Sequence, residues 1–487
     1  MRLHAPLLPY TISLWLGCTY GLDGIGTLTF IFLTWLLLGC WIGFNWGYCI
    51  TVSRLILFVC CSVIGIFRSY YEINNRPFPD GELHKFTITS CRPMPISHSR
   101  NIYGYGSTKE IGKTAFIWPE EFDFPSKELV VWGIWNDLPE VKPNSTFNLK
   151  KYYSSLGCRG VFKPLIQVGE TKSLITLPDK YRIRMKMLID SSGVKQPAAG
   201  LLMGLSTGDK SWINKSTKSL FARSGIAHLL AVSGYHVGIV GSLPLLLFRS
   251  RRREIRWFGA LGLAAIWAFI TACGSPWSAV RAGLMVTAGC IGKWSGRAIL
   301  PWQGLAVAAW IVVWIDPWAP QQLGTQLSFA ATSAILATVS SPKFLLFRIP
   351  IAAQAATMSW AASIFKQLPI FFLPLNIIAS VIVTLIGISL GIGSVINEVA
   401  PSLSKVLIKF SGYVVNICLE YLLKLDFITP LAVEIKYDKY FIVISLAVWG
   451  WLLQSTIPKT LSRLLSATSL LFILGSLLMI LFDIKFS

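Results

Sequence analysis

Negative charge is scarce in this sequence, and so is charge of any kind. Charged residues make up 14% of the chain, against about 25% in ordinary soluble domains. The 23 Asp and Glu are outnumbered by 44 Lys and Arg. Histidine is rarer still: there are five, and none follows His236. These shortages exclude an ordinary soluble globular class. No Cys/His cluster has the spacing of a structural zinc site, so no metal or other cofactor is expected. No Walker-type phosphate loop is visible. Alternating segments of about ten residues, the mark of a membrane β-barrel, are missing as well.

What is present is oil. Hydrophobic residues account for 53% of the chain, with 19 Trp and a mean hydropathy of +0.58. The apolar runs are long enough for helices and are divided by short polar or basic breaks, which predicts a polytopic α-helical membrane protein. Three helices are expected near 8–22, 27–45 and 49–67, the first of them a retained anchor rather than a cleaved leader. Ten more are expected near 226–248, 257–274, 279–292, 301–316, 326–341, 350–365, 371–396, 408–424, 439–455 and 464–482.

Between these sets, composition shifts. Residues 68–199 hold 19 Lys and Arg, 13 Asp and Glu, and many β-formers. The stretches 85–91, 128–135, 173–177 and 181–188 read as strands separated by turn residues, so an inserted small β domain is expected, with the OB barrel one candidate. Residues 200–227 mix Trp212, Ile213, Leu220 and Phe221 with several lysines and read as an interfacial segment. The domains are then 1–67 (about three helices), 68–199 (β), 200–227 (interfacial), 228–396 (main helical domain) and 397–487 (further helices). The run RSRRREIR (249–256) carries five arginines, and Lys293/Arg297 and Lys343/Arg348 recur at every second loop. Short basic loops stay cytoplasmic, which places the β domain on the outer side of the membrane.

The net charge of +21 has two readings: topology with anionic lipid as partner, or a polyanion such as nucleic acid. Of ten cysteines only Cys91 and Cys158 fall in the β domain. An oxidising compartment would favour a disulfide between them; two unrelated thiols are the alternative.

The stretch HLLAVSGYHVGIV (228–240) concentrates polar groups inside an apolar run. On one helix over 226–248, His228 and His236 would lie about 80° apart, with Ser233 and Gly234 near the same sector. Polar side chains are expensive in hydrocarbon and normally face a protein-lined cavity or path, while Gly234, Gly238 and Gly241 allow close approach. The histidines could equally bond neighbouring helices and do nothing more. Arg281, Asp316, Gln326 and Asn376 add polar groups in other apolar runs. They are donors and cations more than an acid/base pair, which suits a path for something negative.

The stretch RSGIAHLLAVSGYHVGIV resembles the signature of the ComEC-type competence proteins, inner-membrane channels for DNA uptake. Gly208-Asp209-Lys210 is similar to that family's GD-[RK] element, SPWSAVRAGLM (275–285) to its SxSxxRAxxM segment, and DPWAPQQLGTQLSFAA (316–331) to its DPxxxxxxGFQLSFxA segment. FNLKKYYSSLGCRGVF (147–162) is similar to its FDYxxYLxxxGIxG element. The resemblance implies entry of single-stranded DNA into the cytoplasm through the helical domain, with an OB-like outer domain guiding the strand. It implies no enzyme activity in this chain and separate partners: a DNA receptor, a nuclease, a cytoplasmic motor, with a homodimer allowed. Trp118, Trp132 and Trp135 could stack bases or fill the β core, core being favoured for the last two. Departures are Thr325 for the usual aromatic, Asn148 for an Asp, Val381 for a proline, and no HxHxDH metal motif of the family's metallo-β-lactamase-like domain. Two other functions fit the residues: a membrane enzyme or lipid/polysaccharide handler using His228 or His236 as a base, and an assembly scaffold.

Overall fold

The computed structural model describes residues 60–61, 63–69, 71, 79–93, 101–119, 129–138, 149–170, 177–230, 232, 234–247, 255–296, 300–339, 345–365, 367–428 and 432–434. The helices expected at 8–22, 27–45, 439–455 and 464–482 lie outside these residues, as does most of the one at 49–67.

Five strands close a barrel: β1 (Leu83–Pro93), β2 (Asn101–Thr108), β3 (Gly112–Pro119), β4 (Leu129–Asp137) and β5 (Gly160–Glu170). The order around it is β1-β2-β3-β5-β4, antiparallel except where β3 meets β5. A short helix α1 (Leu149–Ser155) leads into β5. Alternation drives closure: in β4, Leu129, Val131 and Trp135 point inward between half-buried neighbours. They meet Phe86, Ile88, Phe116, Trp118 and Phe162 in one core, with Phe86 edge-on to Phe162 at 4.8 Å between ring centroids. Trp118 and Trp135 are core residues, and only Trp132 stays half-exposed.

The barrel ends at β5, well short of residue 199. Residues 181–188, expected as a strand, belong to helix α2 (Leu177–Ser191). The alternation Tyr-Arg-Ile-Arg-Met-Lys-Met-Leu has period two on paper, but the buried positions are Met185, Leu188 and Ile189, a helical stripe, while Ile183 and Met187 face outward. Residues 173–176, the start of another expected strand, are outside the described set, and Leu177 opens α2. Helix α3 (Ala198–Thr207) is buried at every position. The opening of the expected interfacial segment is therefore interior, because AAGLLMGLST is apolar all round. Together α2 and α3 join the helical core with Leu220, Leu229 and Ile386.

Beyond α3 come α4 (Lys215–Arg223), α5 (Gly234–Leu247), α6 (Ile255–Ala272), α7 (Trp277–Trp294), α8 (Pro301–Ile315), α9 (Leu323–Val339), α10 (Leu345–Phe365), α11 (Phe372–Ile396) and α12 (Pro401–Ile428). A three-residue strand pair, Gln367–Pro369 with Ala432–Glu434, ties the start of α11 to the chain after α12. Helices α11 and α12 are long enough to cross a bilayer, with mean hydropathies of 2.3 and 1.5. Only 17% of the apolar window of α11 is buried within the protein. Ile378, Val381, Leu385 and Val395 stand exposed along it. Such a face is stable against hydrocarbon, not water, which supports a place in the membrane.

Candidate functional site

The chain from Ala227 to Leu247 is not one helix. A 3-10 turn (Ala227–Leu230) carries His228, and α5 begins afresh at Gly234 with His236 in its first turn. The 80° relation drawn on a continuous helix is therefore replaced by a break. Two contacts fix the chain at the break. The Ser278 hydroxyl donates to the Val232 carbonyl at 2.7 Å. Val232 packs against Gly208 so closely that a Cβ there would lie 2.8 Å from its methyl. Gly208, left-handed at φ +75°, ends α3, so the Gly208-Asp209-Lys210 turn physically backs the break. Ser233 lies outside the described residues.

His228 is exposed on the 3-10 turn. His236 is 5% exposed and lies within electrostatic reach of His228. Tyr235 between them turns the other way, its hydroxyl donating to the Ser380 carbonyl of α11 at 2.9 Å and meeting the Thr384 hydroxyl. Gly225 abuts Phe372 at the start of α11. Asn376 sits one turn after Phe372 and one before Ser380, so this edge of α11 runs alongside the break.

Arg281 is buried, 7% exposed, one turn beyond Ser278 on α7. Its Nη1 donates to the Ser328 carbonyl of α9 at 2.8 Å, and the guanidinium lies 5.8 Å from the Phe329 ring centre. Its Nε has no partner, and no carboxylate engages it among the described residues. A Cβ on Gly234 would sit 3.1 Å from Nη2, so the start of α5 touches the cation. Gly241 meets Ile266 in the same close manner, whereas Gly238 opens onto free space.

Asp316 and Gln326 belong to a second group. Asp316 receives the Trp318 N–H (3.1 Å), the Gln322 amide (3.3 Å) and Lys113 of β3 (2.9 Å). Gln326 donates to the Pro320 carbonyl at 2.9 Å. Gly157, left-handed at φ +83°, presses on the Trp318 indole, where a Cβ would come within 2.9 Å. The turn from α8 to α9 is thus the seat on which the barrel docks. Sequence reasoning missed Lys113, Gly157, Ser278 and Phe329; the Ser278/Arg281 spacing of three was the available signal, the long-range pairs had none.

Asp209 is also engaged locally, by the Ser211 N–H (3.0 Å) and hydroxyl (2.7 Å), with Arg182 at 3.8 Å. Lys210 beside it is held below the usual lysine range by burial and by Lys218. Among the described residues one group has metal-like spacing, Asp80, Glu82 and His84, within 4.8 Å at the open start of β1. The Asp80–His84 ion pair of 2.8 Å accounts for it. Cys158 is buried with Tyr153 and Val161 at the entry to β5. On β1 the Cys91 backbone pairs with Gly106 of β2, and the Cys91 side chain lies outside the described residues.

Residues 205–461, more than half of the chain, match the family described as Competence protein. The chain belongs to this competence family. The matched span takes in the Gly208 turn, the break before α5, Arg281 and the barrel's seat, and leaves out the barrel itself. Recombination protein 2 of Haemophilus influenzae is 26% identical over 47% of this chain and 30% of its own length. ComE operon protein 3 of Bacillus subtilis is 26% identical over 37% of this chain and 24% of its own. Competence protein ComA of Neisseria gonorrhoeae is 30% identical over 30% and 22%. The chain therefore aligns with less than a third of each relative. No solved structure matches.

Proposed function

We propose that the chain forms the passage by which single-stranded DNA crosses the bacterial plasma membrane during natural transformation. The observation that carries this reading is Arg281: a cation buried between α7 and α9 at the start of α5, without a carboxylate partner among the described residues. Isolated buried charge is costly, and one left uncompensated is a functional feature by default. A polyanion supplies the missing countercharge in passing, and release is easy because no second cation among the described residues clamps it. Family membership and the names of the relatives agree with a role in DNA uptake.

In this reading the barrel is OB-like and extracytoplasmic, guiding the strand with its lysines and the half-exposed Trp132. Its outward position also favours the Cys91–Cys158 bridge. Anionic lipid neutralises part of the net charge. Receptor, nuclease and motor are separate chains, and two copies can pair. The test is a clean deletion in a transformable host, scored for transformants and for surface-bound labelled DNA. Transformants should vanish while surface binding persists; normal transformation overturns the proposal.

A further inference from the structure

We infer that the start of α5 and Arg281 together form a coordination site for one phosphodiester group. It rests on the reading above and specifies how the passing strand is held. The first turn of a helix presents backbone N–H groups beyond its own hydrogen-bond ladder, together with the positive end of its dipole. This favours anions, as in transporters whose broken helices aim their starts at anionic substrates. Here α5 has 14 residues and its start is created by the break. The second observation is independent of the helix: Arg281, 7% exposed, brings Nη2 against Gly234 and keeps Nε unpartnered.

Ser278 and Arg281 lie on one face of α7, the former holding Val232 before the break and the latter meeting Gly234 after it. One helix thus sets both the position of α5's start and the position of the cation. A Cβ on Gly234 would come 3.1 Å from Nη2 and 3.3 Å from the Ala282 methyl, so a larger residue would push the guanidinium off its place by a few tenths of an ångström. Phe329 covers the guanidinium from α9 and offers a ring on which a base can rest. An anionic lipid headgroup has the same chemistry as a strand phosphate, and the experiment separates the two.

The full chain in nanodiscs of zwitterionic lipid is irradiated with an oligothymidylate carrying 4-thiothymidine, and crosslinked peptides are mapped. Crosslinks should fall on the peptides containing Phe329 and His236. In Arg281→Met their yield should drop about 10- to 100-fold, the loss expected for one charge-assisted contact. Arg281→Lys should restore part of it, since it keeps the charge and loses the fork. Crosslinks to the barrel should be unchanged in both variants, which shows that they are folded. A methylphosphonate oligomer, neutral along its backbone, should not crosslink at Phe329. Equal yields from wild type and Arg281→Met overturn the inference. So does mass spectrometry in anionic nanodiscs that finds a lipid lost in Arg281→Met while strand crosslinks persist. Loss of crosslinks in a protein whose deletion leaves transformation normal would keep the site and refute the passage.

Discussion

The barrel buries Phe86, Phe116, Trp118, Trp135 and Phe162, and no charged side chain among its described residues. The helical layer buries His236, Arg281 and Asp316. The barrel's interior is accounted for by stability alone, since aromatic burial is the cheapest way to close a small sheet. The helical layer's is not: apolar residues would fill the same space at lower cost. The difference separates residues retained for folding from residues retained for use.

That contrast is sharpest in paired substitutions. Phe162→Ala should destabilise the barrel by about 3–5 kcal/mol. Limited proteolysis of the membrane-embedded protein should then cut between residues 83 and 170. Arg281→Met should do the reverse, leaving the protein's heat resistance unchanged or raised while transformants fall below detection. A large stability loss in Arg281→Met would erase the distinction between the two interiors.

The seat between the regions comes next in size. Gly157→Val places atoms in the Trp318 indole and strains a left-handed backbone, for a cost of about 1–3 kcal/mol. The expected sign is easier proteolytic release of the barrel from otherwise intact helices. Lys113→Met should weaken the same seat less, because Lys113 is 38% exposed and such a pair contributes about 1 kcal/mol. The double exchange Lys113→Asp with Asp316→Lys should recover part of the loss. Failure to recover would assign Asp316 to the Trp318 turn alone.

Two smaller effects test the barrel. Asp80 is held below the usual carboxylate range by the Glu82 N–H first and then by His84. A depressed folded value contributes stability that is present at neutral pH and is lost as pH falls through that value. Thermal unfolding of wild type and Asp80→Ala should therefore converge in acid. In protein prepared without reductant, peptide mapping should find Cys91 joined to Cys158; two alkylated thiols would remove the bridge.

Much of this was legible in the chain. The inserted β segment with its strands at 85–91 and 128–135, and the helices from 257 to 396, follow from period-two and continuous apolar runs. The two misreadings have separate causes. At 181–188 a period-two pattern of hydrophobicity coincided with a helix whose exposed face also carries Ile183 and Met187. At 226–248 an unbroken apolar run concealed the stop before Gly234, because hydropathy records oil and not backbone direction.

Sequence by itself determined that this protein enters a membrane, carries a separate β module and belongs among the competence proteins, since composition and short-range motifs are properties of the unfolded string. Which polar residues meet was decided only in three dimensions. Asp316 went to Lys113, some two hundred positions away, and Arg281 went to the start of α5. Those pairings depend on how packed helices cross, and crossing is set by close contacts such as Gly208 on Val232 and Gly157 on Trp318 that no local pattern encodes.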